Sequence, residues 1–391
     1  MLNTPFSPWP SFTVEEADAV RACLLSNKVN YWTGQECREF EREFAAWCDT
    51  RYAVALSNGT LALDLALTVA GIGPGDEVIV TPRTFLASAS TVITAGATPV
   101  FADVDPDSGN ISAATIEAVL TPKTRAIIAV HLAGWPCDMD PIMALAERYN
   151  LIVIEDCAQA HGAKYKGRPV GGIGHFGAWS FCQDKIMTTG GEGGMLTLNR
   201  EDWWRAAWSY KDHGKSYAAV YEREHPPGYR WLHESFGTNW RMLEMQAVIG
   251  RIQLRRMAEW TAARKRNAAV LAEAVRACPA LRLPELPEGS EHAWYKFYTY
   301  VRSEALKPEW NRDRIMAEIN ARGVPCYSGS CSEIYLEKAF DGHPSRPADR
   351  LPTARRLGET GLMFLVHPTL TDQEIAKTAR TIKNVMELAI K

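Results

Sequence analysis

The chain predicts an α/β fold, with a mostly parallel central sheet flanked by helices and a smaller C-terminal α+β unit. Two observations carry this. Up to about residue 250, short strands that are apolar on both faces alternate with helices, as in a parallel sheet covered on both sides. Beyond it, a long basic amphipathic helix over Arg251 to Val275 and the proline-rich stretch Pro279 to Pro287 lead into mixed strands and helices. The expected division is a large unit over 1–250 with a helical N-terminal segment, then a linking helix and small unit over 251–391.

Taken in order, Thr13 with Glu16 forms a capping box, and Val14, Ala17, Val20 and Leu24 recur at helical spacing, so the chain opens on a helix with an apolar face. Asn30 to Gly34 breaks it, and a second helix over Gln35 to Trp47 leads to the strand Tyr52 to Leu56. The turn Ser57-Asn58-Gly59-Thr60 opens an alanine-rich helix. Strands over Glu77 to Val80, Pro99 to Phe101, Ala126 to Val130 and Leu151 to Ile154 then alternate with helices over Thr84 to Ala95, Ile111 to Leu120 and Asp140 to Tyr149. A further strand is expected at Ala178 to Phe181, and in the C-terminal part at Tyr295 to Val301 and Val324 to Cys326.

Hydrophobic residues at 46% and charged residues at 23% are ordinary globular values. A net charge of -3 gives no polyanion-binding footprint, so nucleic acid is not an expected partner. The nine cysteines are scattered, and the spacing of Cys326 and Cys331 fits neither a zinc pair nor a redox CxxC, which points to reduced thiols in a cytoplasm and to no metal. No apolar run reaches the roughly 18 to 20 residues of a membrane helix, and Met1 to Pro5 has no signal-peptide character. The sequons at Asn58 and Asn110 are accordingly read as chance.

Two motifs mislead. Gly172-Ile173-Gly174-His175-Phe176-Gly177 matches GxGxxG, but it follows a loop and precedes a strand, the reverse of a dinucleotide fingerprint. Asp103 to Ser108 starts like a calcium loop, yet it has Ser108 where glycine is needed and Ala114 in place of the bidentate glutamate.

Three stretches carry candidate chemistry. Lys185 stands between a short apolar strand and four glycines, Gly190, Gly191, Gly193 and Gly194. A lysine amine is a nucleophile toward aldehydes only when deprotonated, and glycines let backbone approach a flat ligand closely. Read alone, the window fits a surface lysine and a simple turn equally well. The Ser57 to Thr60 turn would offer unpaired N–H groups and a positive dipole end to a phosphate ester, or else be an ordinary N-cap. Glu155-Asp156 closes a strand where open α/β sheets place ligands, and a carboxylate there can hold a pyridine nitrogen protonated. Asp156 is the favoured carboxylate and Glu155 its competitor, with Gln159 in reach of a ring hydroxyl; His131 and His161 are read as core residues.

The order of phosphate turn, strand-end aspartate and lysine before glycines resembles the DegT/DnrJ/EryC1/StrS family of sugar aminotransferases over nearly the whole chain. That resemblance implies the fold type I architecture and the cofactor pyridoxal 5'-phosphate (PLP). It implies that Lys185 and Asp156 are catalytic and that Gly59, Thr60 and Ser180 hold the cofactor phosphate. Phe85 would stack on the ring, although from its surroundings it also reads as a helix core residue. Asn239 would reach into a neighbouring subunit, making a homodimer with shared active sites; otherwise it caps a helix over Met242 to Ile249. The departures at His175 and at Cys182-Gln183-Asp184 are expected to leave the chemistry untouched. The implied reaction moves an amino group from L-glutamate to a nucleotide-linked ketosugar, leaving 2-oxoglutarate. The specific expectation is C4 amination of a UDP-linked 4-keto-6-deoxy-N-acetylhexosamine for a surface glycan such as O-antigen. A C3 aminotransferase acting on a dTDP- or GDP-linked sugar shares every motif. A sugar dehydratase of the family would carry histidine in place of Lys185, and the retained lysine also weighs against a non-catalytic PLP-binding regulator or scaffold.

Overall fold

A computed structural model describes residues 6–391; the signal-peptide reading of Met1 to Pro5 lies outside the described residues. Seven strands, β1 (Tyr52–Leu56), β2 (Glu77–Val80), β3 (Thr98–Phe101), β4 (Thr124–Val130), β5 (Ile152–Asp156), β6 (Phe176–Ser180) and β7 (Gly194–Leu198), form one sheet in the order β1-β7-β6-β5-β4-β2-β3. All run parallel except β7, which pairs antiparallel with both β1 and β6. The strands are apolar on both faces because both faces are covered. Ile154 packs with Val130, Ala178 and the helix after β1, whereas its neighbour Val153 packs with Ile127 and Ile142 on the other side.

That period of two has a consequence at the end of β5. Asp156 shares the face of Ile154, and Glu155 turns to the opposite side. There its carboxylate accepts from the backbone N–H groups of Gly171, Ile173 and Gly174 and pairs with His131 Nε2 at 2.9 Å. The glycine-rich segment that mimics a dinucleotide motif is thus the latch for a buried carboxylate. The calcium-loop mimic is also structural: Asp105 closes its own turn, and Asp103 accepts from Thr353 N and Ala354 N, capping the helix Pro352–Thr360.

A second, fully antiparallel sheet is built from Leu281–Arg282, Phe297–Val301, Gly361–Phe364 and Cys326–Tyr327, in that order, with its own apolar core. The helix Glu244–Arg276, 33 residues long, packs against the first two helices and the C-terminal helix Asp372–Ala389. It begins upstream of the expected Arg251, because the Glu244 carboxylate accepts from Glu36 N and Cys37 N and fixes the first turn against the second helix. The separate helix expected over Met242 to Ile249 is absorbed into it, and Leu243, not Asn239, is its N-cap.

The opening helix, Val14–Leu25, has its capping box, but its apolar face is not the buried one. Val14 is 76% exposed, whereas Glu16 is buried, accepting from Gln253 Nε2 at 2.7 Å and pairing with Arg256. A cationic patch on the long helix outweighs the apolar periodicity. The helix expected over Thr84 to Ala95 forms only at Ala87–Thr94, which leaves Phe85 in the preceding loop. The helix expected over Ile111 to Leu120 shrinks to Ala113–Glu117 behind the N-cap Ser112.

Candidate active site

Where β1, β5 and β6 end, a cavity of about 630 Å³ opens. Gly59, Thr60, Phe85, Asp156, Gln159, Ser180 and Lys185 all line it. Asn239 does not; it lies exposed on the surface in a bridge with Asp212 and no hydrogen bond to its side chain is present among the described residues.

Each wall has a local cause. Strand β1 leads directly into the helix Gly59–Val69, whose N-cap Asn58 accepts from Leu61 N at 3.0 Å. The N–H groups of Gly59 and Thr60 take no partner among the described residues and remain for a ligand at the positive end of the helix. The turn is pressed against two strand ends: a Cβ on Gly59 would lie 2.5 Å from Ser180 Cβ, and one on Gly194 would lie 2.2 Å from Asn58 O. Only glycine fits these contacts. Gly59→Ala should therefore push Ser180 away from the helix start and cost roughly 1 to 3 kcal/mol, the scale of overpacking. We expect this loss in cofactor retention, read by equilibrium dialysis against the wild-type protein.

The floor is Asp156, 7% exposed, accepting from Ser88 Oγ at 2.8 Å and from Ala158 N at 3.1 Å. Burial raises its pKa, and the Ser88 and Ala158 bonds and the Lys185 charge only partly offset that. Gln159 accepts from Ala133 N through Oε1 at 2.7 Å, which directs its amide NH₂ elsewhere. Phe85 is 71% exposed at the rim, so it is neither in a helix nor in the core. Lys185 Nζ lies 3.6 Å from Asp184 Oδ1 and 5.5 Å from the centroid of the Tyr295 ring, and its backbone carbonyl accepts from Trp9 Nε1 at 2.8 Å. Behind it His161 is fully buried against Trp179 and Phe181, and burial holds it down at about 3, a neutral ring whose two nitrogens have no partner among the described residues.

The chain matches the profile of the DegT/DnrJ/EryC1/StrS aminotransferase family over residues 10–383. The chain belongs to this family. It is 36% identical over 378 residues to the GDP-perosamine synthase of Caulobacter vibrioides, covering 96% of this chain and 97% of that protein. It is 34% identical over 374 residues to the dTDP-3-amino-3,4,6-trideoxy-alpha-D-glucose transaminase of Streptomyces venezuelae, covering 96% and 92%. Among solved structures, the aminotransferase from Psychrobacter cryohalolentis superposes with a TM-score of 0.97 at 66% identity, covering 98% of this chain and 99% of that one.

As a member of the DegT/DnrJ/EryC1/StrS family the chain is a PLP-dependent aminotransferase, and the cavity fits that cofactor. Unpaired amides at a helix start suit its phosphate, and a buried carboxylate with a raised pKa suits a protonated ring nitrogen. An exposed aromatic ring suits its flat face, and a lysine stands at the wall.

Three further groups stand at the cavity. Ser88 orients the Asp156 carboxylate, Thr84 in turn bonds Ser88 at 2.8 Å, and Asp184 lines the cavity beside the lysine. Ser88 was hidden in an apolar helix, with no spacing to mark it. Asp184, in the variable approach to the lysine, is its ion-pair partner, with Oδ1 3.6 Å from Nζ. His175, the other departure, accepts from Val153 N at 3.0 Å and does not line the cavity.

Proposed function

We propose that the chain transfers an amino group from L-glutamate to a nucleotide-linked ketosugar, the specific substrate being a UDP-linked 4-keto-6-deoxy-N-acetylhexosamine aminated at C4. The observation that carries the reading is the meeting of Lys185, Asp156, Phe85 and an open helix start around one cavity. The names of both curated relatives support a nucleotide-linked sugar. PLP, when bound, supplies the electron sink for the carbon whose C–H bond breaks. Lys185 Nζ would hold the cofactor and is placed to take up and return a proton at the reacting carbon. Asp156 keeps the ring nitrogen protonated, Gln159 donates to the ring hydroxyl, and Phe85 covers the ring. The amides of Gly59 and Thr60, with Ser180, hold the phosphate. Overall, glutamate would give up its amino group and leave as 2-oxoglutarate, and the ketosugar would exchange its carbonyl oxygen for that amine.

C3 amination of a dTDP-linked sugar is the second reading, favoured by the name of the Streptomyces relative. Offering UDP-, dTDP- and GDP-linked 3- and 4-ketosugars with glutamate, and identifying the product by mass and NMR, decides between them. One 2-oxoglutarate should appear per amine formed, and amination of none of these sugars would overturn the proposal. No described helix is long and apolar enough to cross a membrane.

The working unit in this reading is a homodimer with shared sites. Phe236 is 99% exposed and Trp231 and Tyr229 are exposed close by, just ahead of Asn239, an apolar surface of the kind a second copy covers. Mixing an inactive Lys185→Ala subunit with an inactive Asn239→Ala subunit should therefore restore activity, since one of the two sites in a mixed dimer carries neither lesion. No recovery despite proven subunit exchange would mean that each subunit builds its own site.

A further inference from the structure

We propose that Asp184 is a positioning residue for Lys185: its carboxylate, tethered by Tyr295, holds the lysine ammonium at the cavity wall in the cofactor-free protein. The inference rests on the reading of Lys185 as the cofactor lysine. The two oxygens of Asp184 divide the work. Oδ1 faces Lys185 Nζ at 3.6 Å, and Oδ2 accepts from the Tyr295 hydroxyl. Tyr295 is buried, and its ring also stands under the lysine, 5.5 Å from centroid to Nζ, so one side chain fixes both members of the pair. An ordinary exposed ion pair is weak because two long side chains must be ordered to form it. Here the carboxylate is already ordered by a buried donor, and the lysine backbone is held by Trp9.

The other charges around the lysine explain why a carboxylate is useful there. Lys296 follows Tyr295 and Arg264 projects from the long helix, both cationic, and Arg264 Nε and one terminal nitrogen have no partner among the described residues. Burial, then Arg264 and Lys185, bring Lys296 down to about 8, against the pull of Asp184. From the other elements the lysine faces neutral His161, buried Asp156, and Cys182 and Glu192 on the cavity wall. Partial desolvation works against the Asp184 carboxylate, whose side chain is still 61% exposed, but Lys185, the Tyr295 hydroxyl and Lys296 together hold it below the usual carboxylate range. It is therefore an anion at neutral pH, placed between cations that would otherwise repel one another.

The test reads the amine itself. Cofactor-free protein is treated with acetic anhydride across a pH series, and acetylation of Lys185 is followed by peptide mass spectrometry against exposed lysines of the same chain. Asp184→Asn keeps the shape and an acceptor for Tyr295 but removes the charge. At a fixed near-neutral pH it should acetylate about 3- to 10-fold faster at Lys185 relative to the exposed lysines, the size expected for losing one partly screened opposite charge. Asp184→Glu should restore most of the difference. Tyr295→Phe, which keeps both charges but unties the carboxylate, should shift the labelling in the same direction by less. Wild-type labelling of a folded Asp184→Asn protein would overturn the proposal, and wild-type labelling of Tyr295→Phe would overturn the tether. Neither substrate nor cofactor enters the measurement. Failure of the cofactor-lysine reading would show separately, as full turnover in Lys185→Ala.

Discussion

Replacing Lys185 with alanine is expected to abolish amino transfer while leaving a folded protein that still binds pyridoxamine 5'-phosphate. The side chain serves the reading twice, as the attachment point of PLP and as the base that relocates a proton, and losing an essential base alone commonly costs about 10² to 10⁴ in rate. The fold has little reason to suffer. The lysine side chain is part-exposed on the cavity wall, its polar contact is the Asp184 pair, and the Trp9 bond goes to its backbone carbonyl, which alanine keeps. A turnover assay with glutamate and the accepted ketosugar, beside a melting curve, separates the two effects. Activity near that of the wild-type chain would remove Lys185 from the role.

Much of this site was legible because it lies at ends of elements that local rules specify. An apolar run closed by Glu155-Asp156 is a strand with carboxylates at its C-terminal end, and the turn at Asn58 is a strand-to-helix junction with a capping residue. What no local rule specified is which of two adjacent carboxylates faces the cavity. A strand alternates its side chains, so one had to; the choice is made by the Gly171, Ile173 and Gly174 amides and His131, which gather around Glu155 from distant parts of the chain.

The misreadings share a cause. Val14 and Leu24 form an apolar stripe, but the long helix presents Gln253 and Arg256 to the opening helix, and Glu16 is the residue that answers them. Phe85 sits among apolar neighbours and was assigned to a helix, yet the helix starts two residues later, where Ser88 is needed under Asp156. Nothing local marks Asp184, because its hydroxyl donor Tyr295 lies 111 residues away in sequence. Periodicity reports what a segment is able to bury. It does not report what the neighbouring surface offers.

Asp156→Asn should slow both half-reactions by about 10² to 10³, the scale of removing one preorganised charge-stabilising group. Asparagine retains an acceptor for Ala158 N and occupies the same space, so what is lost is the charge that keeps the ring nitrogen protonated. A second expectation has the opposite sign. Burial raises the Asp156 pKa, so the native state binds this proton more tightly than the unfolded chain does. Stability of the cofactor-free protein then falls as pH rises from the ordinary carboxylate value through the raised one, and at neutral pH the buried charge is a net cost. Asp156→Asn should accordingly melt no lower than wild type without cofactor, and gain less than wild type when PLP is added. Glu155→Gln should behave differently. It disturbs a buried carboxylate that accepts three backbone N–H bonds and pairs with His131, so it should lower the melting temperature with and without cofactor alike. Melting curves of the two variants, with and without PLP, beside single half-reaction rates with glutamate, decide the assignment. If Glu155→Gln slows the half-reactions and Asp156→Asn leaves them intact, the acid that serves the cofactor is the latched one, and the cavity floor has been assigned to the wrong carboxylate.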